Sequence, residues 1–496
     1  MRRCTRREAL GYLGAAAGAM VMPRWLAAAA AGSSPKAAEK PNFVIVFTDD
    51  QGYQDVGCFG SPDIRTPNLD RMAAEGRKFT DFYVASPVCT PSRAALLTGC
   101  YPHRVGLANG VLFPRSTTGL NPKEVTLAEL LKAQGYATAC IGKWHLGFQK
   151  PFLPTSQGFD FYYGIPYSND MQLAPGMKFA ADVKLGEGLT VEQLAAGERK
   201  GGTVPLMRNE EVIEYPADQA SLTRRYAQEA VKFIAASKDR PFFVYLPHSM
   251  PHVPLYASEQ FKGKSRRGLY GDVIEEIDLS VGEILKALQQ HGLDEKTLVI
   301  FTSDNGPWLI MGRNGGCALP LREGKGTTYE GGQREPTIMR WPGKVPAGSV
   351  CSELCTTMDL LPTLARLAGT ATPADRVIDG KDIWPLISGE PGARTPHEAF
   401  FYYSRAGKLS AVRSGNWKLH LRESLYYRKR PPAKEPWKME LYDLAADIGE
   451  KDNVFEKHPD VVARLKSLAE AFEKEINQHA RPVGRLPAGQ KPQQPS

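Results

Sequence analysis

Asn42-Phe-Val-Ile-Val-Phe-Thr48 runs directly into the polar turn Asp49-Asp50-Gln51-Gly52. A short continuous run of β-branched and aromatic residues that ends at a turn predicts a strand buried on both faces of a sheet. Three further runs of this kind occur, at residues 137–141, 242–246 and 298–302. These four runs predict the central strands of one sheet.

Helical patterns separate the predicted strands, at residues 68–75, 127–134 and 272–290. Alternation of strands and helices is typical of an α/β fold, in which helices flank a large, mainly parallel sheet. Ligand sites in such folds gather at the carboxyl ends of the strands. Polar residues follow each predicted strand here, so we expect a single site at that edge.

The composition is that of a globular protein with a large core, since 42% of the 496 residues are hydrophobic and 23% are charged. The formal net charge is +8. An N-terminal leader supplies four of these charges, through Arg2, Arg3, Arg6, Arg7 and Arg24 against Glu8. No basic stripe with interleaved aromatic residues occurs in the sequence, so we expect no nucleic-acid partner.

Residues 1–31 have the features of an export signal of the twin-arginine type. Thr5-Arg6-Arg7-Glu8-Ala9-Leu10 precedes a mildly apolar run at residues 11–22, and small residues follow at 27–31. A membrane anchor is the alternative, but the run is shorter than the ~20 residues that a spanning helix needs. We therefore predict a periplasmic or secreted protein without a stable membrane anchor.

The rest of the chain divides into a catalytic domain at residues 40–394 and a smaller α+β domain at 395–480. The smaller domain is predicted from a hairpin about Ser414-Gly415-Asn416 and a helical pattern at 459–477. Residues 481–496, rich in Pro, Gln and Gly, are predicted to be disordered. Six cysteines stay unassigned, since pairing cannot be read from spacing: Cys58, Cys100, Cys140, Cys317, Cys351 and Cys355.

Cys89-Thr90-Pro91-Ser92-Arg93 precedes the apolar segment 94–99, which ends in glycine. Proline in the first turn and glycine at the end predict a helix that begins at Cys89. Unpaired N–H groups and the macrodipole favour negative charge at that position, which suits a nucleophile facing an anion. A buried structural cysteine is the alternative interpretation of these five residues alone.

Two pairs of polar residues follow predicted strands, and both offer only oxygen ligands. They are Asp49 with Asp50, and Asp304 with Asn305. Oxygen ligands suit a hard cation such as Ca²⁺ or Mg²⁺ and disfavour zinc. Neighbouring side chains on a strand face opposite ways, so each pair must occupy a turn for both members to reach one ion. Ordinary polar loop residues are the alternative for either pair alone.

Residues 89–93 fit the Cys-x-Pro-x-Arg signature of the sulfatase family, and the block 92–99 resembles the family as well. This resemblance implies an alkaline-phosphatase-like fold, and a cysteine that a formylglycine-generating enzyme oxidises to formylglycine (3-oxoalanine). In the family, one hydroxyl of the hydrated aldehyde attacks sulfur, and deprotonation of the other expels sulfate. Within the family, residues 304–342 are most similar to the arylsulfatase A and N-acetylgalactosamine-6-sulfatase groups. The loops at 174–212 match neither group, which leaves the substrate open.

The resemblance also implies the roles of individual residues. Lys143, in Gly142-Lys-Trp-His-Leu-Gly147, would hold the diol or the sulfate, and His145 would take a proton from the sulfated hydroxyl. If the chain after the strand is extended, these two side chains lie on one face. His252, in Pro251-His252-Val253-Pro254, would assist the leaving group, with His248 behind it. Lys325, in a glycine-rich loop at 324–332, would offset charge on the sulfate and the departing oxygen.

The remaining implied assignments complete the site. Arg93 would orient the diol, and Ser168 would contact the substrate together with Lys143, His252 and Lys325. The cation, Ca²⁺ or alternatively Mg²⁺, would be held by Asp49, Asp50, Cys89, Asp304 and Asn305.

These features predict an enzyme that hydrolyses aryl sulfates or, in preference, carbohydrate sulfates through a nucleophile made from Cys89. Two alternatives stay open. The same fold hosts phosphate and phosphonate ester hydrolases, and a carbohydrate-binding relative could keep Cys89 as a thiol and only recognise sulfated glycans.

Overall fold

The computed structural model describes residues 40–197, 204–424 and 437–486. The predicted export signal lies outside the described residues, as do residues 487–496 of the predicted tail. Among the helices that the structure describes, none is long and apolar enough to cross a membrane.

Strands and helices are numbered in chain order. The strands are β1 (Asn42–Thr48), β2 (Arg77–Phe79), β3 (Phe82–Tyr83), β4 (Thr118–Gly119), β5 (Ala137–Ile141), β6 (Phe161–Gly164), β7 (Phe179–Leu185), β8 (Leu206–Arg208), β9 (Glu211–Tyr215), β10 (Phe242–Pro247), β11 (Thr297–Ser303), β12 (Thr337–Arg340), β13 (Ser349–Cys351), β14 (Cys355–Thr356), β15 (Phe400–Tyr403), β16 (Leu409–Ser414), β17 (Trp417–His420), β18 (Glu440–Asp443) and β19 (Gly484–Arg485). The helices are α1 (Pro67–Ala74), α2 (Cys89–Thr98), α3 (Leu127–Ala133), α4 (Val191–Ala195), α5 (Leu222–Ala236), α6 (Leu269–Gln290), α7 (Glu330–Gln333), α8 (Leu360–Leu367), α9 (Trp384–Ser388) and α10 (Pro459–Gln478).

β1 lies near the middle of a large mixed sheet with the strand order β13-β2-β12-β11-β1-β10-β5-β6-β8-β9-β7. Its neighbours β10 and β11 both run parallel to it, as do β5 and β6 further along. Every residue of β1 is buried, as expected of a central strand covered on both faces. The predicted α/β fold with its mainly parallel sheet is confirmed.

The carboxyl ends of β11, β1, β10 and β5 lie side by side at one edge of this sheet because the four strands are adjacent and parallel. The predicted site residues follow these ends directly. Residues more than 250 positions apart in the chain therefore come within a few ångströms of one another, as Asp50 and Asp304 do.

A second, antiparallel sheet with the order β15-β16-β17-β18 follows in the chain, and α10 packs against β16 and β17. Its hairpin β16–β17 turns at Ser414 to Trp417, in the predicted position. The apolar cluster under this sheet includes Tyr83, Ala95 and Tyr101 from the catalytic part of the chain. The small sheet therefore packs directly against the part of the molecule that carries α2.

The prediction of disorder from residue 481 is wrong for residues 481–486. The Arg481 side chain bonds the Glu124 carboxylate at 2.8 Å, and Gly484–Arg485 pairs with Thr118–Gly119 as a short antiparallel ladder. Composition alone suggested a free tail, but an ion pair and a ladder with a distant loop hold this segment on the surface.

Candidate active site

Asp49 and Asp50 both turn their carboxylates into one pocket because the chain leaves the strand conformation after β1. Asp50 has a φ of 64°, which breaks the alternation of side chains. The Asp49 carboxylate contacts the ammonium of Lys143 in a very short ion pair, and the Asp50 carboxylate lies 2.7 Å from the ammonium of Lys325. The predicted turn is therefore present, and each carboxylate is matched with a lysine.

Asp304 and Asn305 approach the same pocket from the end of β11. Asp304 Oδ1 accepts a hydrogen bond from the backbone N–H of Asp50 at 3.2 Å, and Asn305 Nδ2 donates to Asp50 Oδ1 at 2.7 Å. Asn305 Oδ1 is buried and has no hydrogen-bond partner among the described residues. This arrangement leaves an amide oxygen available for a cation.

The pKa values of Asp50 and Asp304 are raised to about 6, mainly by burial, and the negative charge of Asp49 contributes to the increase. Burial also opposes ionisation of Asp49, but the charges of Lys143 and Arg93 outweigh it and hold the Asp49 pKa well below its usual value. Buried carboxylates that lie this close together, and whose ionised form is disfavoured, are donors that a hard cation would stabilise.

Cys89 is the first residue of α2, as predicted, and its side chain is buried. Its Sγ lies 3.5 Å from Asp49 Oδ1 and 3.9 Å from Lys325 Nζ. Burial raises the pKa of the thiol well above its usual value, and the Asp49 carboxylate adds to this effect. Burial and the Asp49 carboxylate therefore disfavour a thiolate at Cys89, although this residue lies at a helix N-terminus.

Arg93 lies one turn along α2 from Cys89 and is completely buried. Its guanidinium donates to Asp304 at 2.7 Å, to Asp49 at 3.1 Å and to the backbone carbonyl of Lys143 at 2.8 Å. Arg93 therefore connects α2 to the segments that follow β1, β5 and β11, behind the pocket. The hydrogen bonds of Arg93 in this structure are to carboxylates and to the main chain.

The segment after β5 bends sharply instead of continuing as an extended chain. Gly142 has a φ of 135°, and a Cβ at this position would lie 1.8 Å from the carbonyl oxygen of Pro247. His145 also has a positive φ, of 62°. The argument that Lys143 and His145 share one face of an extended chain is therefore wrong, because close packing of the ends of β5 and β10 turns the backbone.

Both side chains still reach the site. Lys143 Nζ contacts Asp49 and lies 3.2 Å from Ser168 Oγ. The His145 Nε2 atom lies 2.9 Å from the carbonyl oxygen of Leu112, which can only accept, so the proton is on Nε2. Nδ1 is then unprotonated, and its lone pair has no hydrogen-bond partner among the described residues. Burial, followed by the charge of Lys143, lowers the His145 pKa well below its usual value, so the ring is neutral.

His252 faces the acidic pocket from the opposite side. Its Nδ1 lies 2.6 Å from the carbonyl oxygen of Val253 and 3.1 Å from Asn169 Oδ1, so Nδ1 carries the proton. Its Nε2 lies 3.6 Å from the Asp50 carboxylate. Burial, with the charge of Lys325, lowers the His252 pKa to about 3. One ligand atom each of Asp49, Asp50, Cys89 and His252 lie within 4.8 Å of one another.

Comparison with known proteins decides the family. Residues 41–370 match the sulfatase family model, and residues 324–478 match the model of the C-terminal part of N-sulphoglucosamine sulphohydrolase. Human arylsulfatase A is 41% identical over 460 residues, which cover 87% of each chain. The chain belongs to the sulfatase family. It is a sulfuric ester hydrolase, and the similarity to arylsulfatase A predicted from sequence is confirmed.

Other similar proteins support the same family assignment. N-acetylgalactosamine-6-sulfatase of the dog is 42% identical over 403 residues, or 77% of this chain and 72% of the relative. Among solved structures, the PsFucS1 sulfatase from Pseudoalteromonas sp. superposes with a TM-score of 0.76 at 30% identity, covering 90% of this chain and 92% of that one. A phosphonate monoester hydrolase of Agrobacterium radiobacter, 20% identical with a TM-score of 0.59, shares the fold.

Sequence reasoning missed two residues of the candidate site. Asn169, next to the predicted Ser168, orients His252. Trp308 lies against both Lys325 and His252, with its ring centre 4.4 Å from Lys325 Nζ. His248 contacts Ser280 at 3.0 Å, and its supporting role behind His252 stays a prediction. Asn169 and Trp308 both follow segments already singled out, which was the available signal.

Proposed function

We propose that this sulfatase hydrolyses carbohydrate sulfate esters, using a divalent cation and formylglycine made from Cys89. The observation that supports the proposal best is the convergence on Cys89 Sγ. Two carboxylates and a histidine offer ligand atoms within 4.8 Å of it and of one another, and Lys325 lies 3.9 Å away. A buried structural cysteine would need none of these neighbours.

The donors fit a hard cation such as Ca²⁺, with Mg²⁺ as the alternative. Asp49, Asp50, Asp304 and Asn305 contribute oxygen atoms, and the amide oxygen of Asn305 has no partner among the described residues. We assign these four residues and the modified Cys89 as the ligands. When bound, the cation supplies charge that neutralises the sulfate ester and activates the nucleophile.

Charges in the pocket support binding of an anion. Three carboxylates face three cationic side chains, namely Arg93, Lys143 and Lys325. A divalent cation would shift this balance to positive, which complements a sulfate monoester. Lys143 and Lys325 would then be released from their carboxylates to hold sulfate oxygens, with Ser168 beside Lys143.

The two proton transfers can be assigned to His145 and Lys325. Formylglycine supplies, once hydrated, one hydroxyl that attacks sulfur and a second whose proton must be removed before sulfate leaves. His145 Nδ1 is a buried lone pair that can accept that proton. The Lys325 ammonium would donate a proton to the departing alcohol oxygen, and His252 Nε2, which is unprotonated and faces the pocket, would help to position that ammonium.

The preference for carbohydrate esters is supported by two solved relatives at 30% identity. One is Ps i-CgsB in complex with k-i-k-neocarrahexaose, with a TM-score of 0.73, and the other comes from work on metabolism of glycosaminoglycans.

We further propose that residues 1–31 direct export to the periplasm or beyond, and that a formylglycine-generating enzyme matures the protein.

Mass analysis of the tryptic peptide of residues 79–93 tests the modification, since conversion of the thiol to an aldehyde lowers the peptide mass. We expect the aldehyde in active preparations and no sulfate ester turnover by Cys89→Ala. An active preparation in which Cys89 is entirely a thiol would overturn the proposal.

Substrate class is tested with matched sulfate and phosphate esters of one alcohol on the same preparation. We expect sulfate to be turned over faster. A preference for phosphate would instead favour the phosphate and phosphonate hydrolases of this fold. Glycan binding without any turnover would favour a recognition protein.

A further inference from the structure

We infer that Trp308 is a specificity-determining residue that stacks on the ring of the alcohol released from the sulfate ester. This inference rests on the proposed function and adds the class of alcohol to it: a ring with a flat apolar face, either a pyranose or an aryl group. The inference starts from the position of the indole between two groups of the site.

Trp308 contacts both side chains assigned to the departing alcohol. Lys325 Nζ lies 4.4 Å from the centre of the indole, and the ring centres of His252 and Trp308 are 5.4 Å apart at an angle of 46°. An alcohol oxygen that leaves between Lys325 and His252 therefore carries its carbon skeleton towards the indole.

The backbone holds Trp308 firmly relative to these partners. It lies three residues after Asn305, and the carbonyl of the intervening Pro307 accepts a hydrogen bond from the Lys325 N–H at 3.0 Å. A Cβ at Gly324 would lie only 2.3 Å from the same carbonyl oxygen, so glycine permits the close approach. The indole and the lysine are thus parts of one packed unit.

Trp308 is more exposed to solvent than the other side chains of the pocket. Cys89, His252 and Lys325 are buried, whereas Trp308 is half-buried. The next residues, Leu309 and Ile310, are 40% and 51% exposed. The apolar side chains at 308–310 are therefore more exposed than the ionic site beside them, and we place the alcohol portion of the ester against Trp308 on this more exposed side.

The chemistry of this surface favours a ring. The face of an indole binds the C–H face of a pyranose or the face of an aryl group through dispersion and area burial, and a short linear chain covers much less of it. The sulfate group itself is held elsewhere, by the cationic side chains, so recognition of the alcohol and of the anion is separable.

The experiment compares wild type, Trp308→Ala and Trp308→Phe on three esters: a short linear alkyl sulfate, 4-nitrophenyl sulfate and a monosaccharide 6-sulfate. Val350→Ala, at an exposed apolar position on the edge strand β13, is the matched control. Folding of each variant is checked by thermal unfolding, and inhibition by inorganic sulfate reports on the anion site.

We expect Trp308→Ala to lose about tenfold or more in kcat/KM on a ring-bearing ester, mainly through a higher KM. We expect Trp308→Phe to retain most of the activity. Turnover of the linear ester and inhibition by sulfate should stay within about twofold. A loss confined to the aryl or to the saccharide ester supports the inference and identifies the ring.

An equal loss on all three esters, or weaker inhibition by sulfate, would overturn the inference, since Trp308 would then act only by positioning Lys325. No loss on any ester would overturn it as well. Failure of the proposed function would give a different result. In that case, wild-type protein in which Cys89 is converted to the aldehyde would turn over none of the three esters.

Discussion

Lys418 Nζ lies 2.8 Å from Glu330 Oε1, and both side chains are completely buried. Lys418 belongs to β17 of the small sheet, whereas Glu330 begins α7, five residues after Lys325. Glu450 closes the connection, because it bonds Lys418 at 2.9 Å and accepts from the backbone N–H of Glu330 at 2.7 Å. The C-terminal sheet therefore holds the end of the loop that carries Lys325.

We expect this buried ion pair to make the contact with the small sheet important for stability. Lys418→Met would leave two buried carboxylates short of a positive charge, and we expect a loss of about 3 kcal/mol or more in the free energy of unfolding. Denaturant titration measures it, with Lys408→Met at an exposed position of the same region as the control. A change below about 0.5 kcal/mol would show that other partners of Glu330 suffice.

The unpartnered amide oxygen of Asn305 predicts a direct effect on cation binding. Asn305→Ala removes one ligand, so we expect affinity for Ca²⁺ to fall by about tenfold or more. Calorimetric titration of chelator-treated protein measures this affinity without reference to activity. Asn314→Ala, at an exposed position, should bind as wild type does; equal affinity of the two variants would contradict the assignment.

The free Nδ1 of His145 predicts a defect in kcat and not in binding. His145→Ala should lower kcat about a hundredfold or more because no other described neutral base is assigned to the second hydroxyl, while KM changes little. Steady-state kinetics on a generic aryl sulfate provide the measurement, and His291→Ala at the surface is the control. A rise in KM alone would assign His145 to substrate binding.

His248 predicts a pH dependence of stability that is independent of the active site. Burial lowers the pKa of its imidazole to about 3, so the folded protein keeps the ring neutral while the unfolded chain takes up a proton near pH 6.5. The stability that this group contributes is present above pH 6.5 and is lost as the pH falls towards 3.

Between pH 7.5 and 4.5, wild type should lose about 2 to 3 kcal/mol more than His248→Gln, whose amide can still donate to Ser280. Denaturant unfolding at the two pH values gives the difference, which cancels the titration of other groups. Parallel loss in both proteins would show that His248 is protonated in the fold.

Much of the fold was accessible from local patterns. β1 and β5 have the predicted bounds, β10 and β11 differ from prediction by one residue at an end or two, and α2 begins at Cys89 as predicted. Such patterns are local, since an apolar run between turns or a proline in a first turn depends only on neighbouring residues. The bend after Gly142 was not predicted, because it depends on contact with Pro247.

The sequence by itself determined the order of strands and helices, the polar residues at the strand ends and the cysteine at a helix start, because these depend on residue type and spacing. Only the tertiary structure decided that the Cys89 thiol stays protonated, that Trp308 lies against Lys325, and that Lys418 holds Glu330. Burial and contacts between distant segments set charge states and neighbours, and neither exists until the strands are assembled.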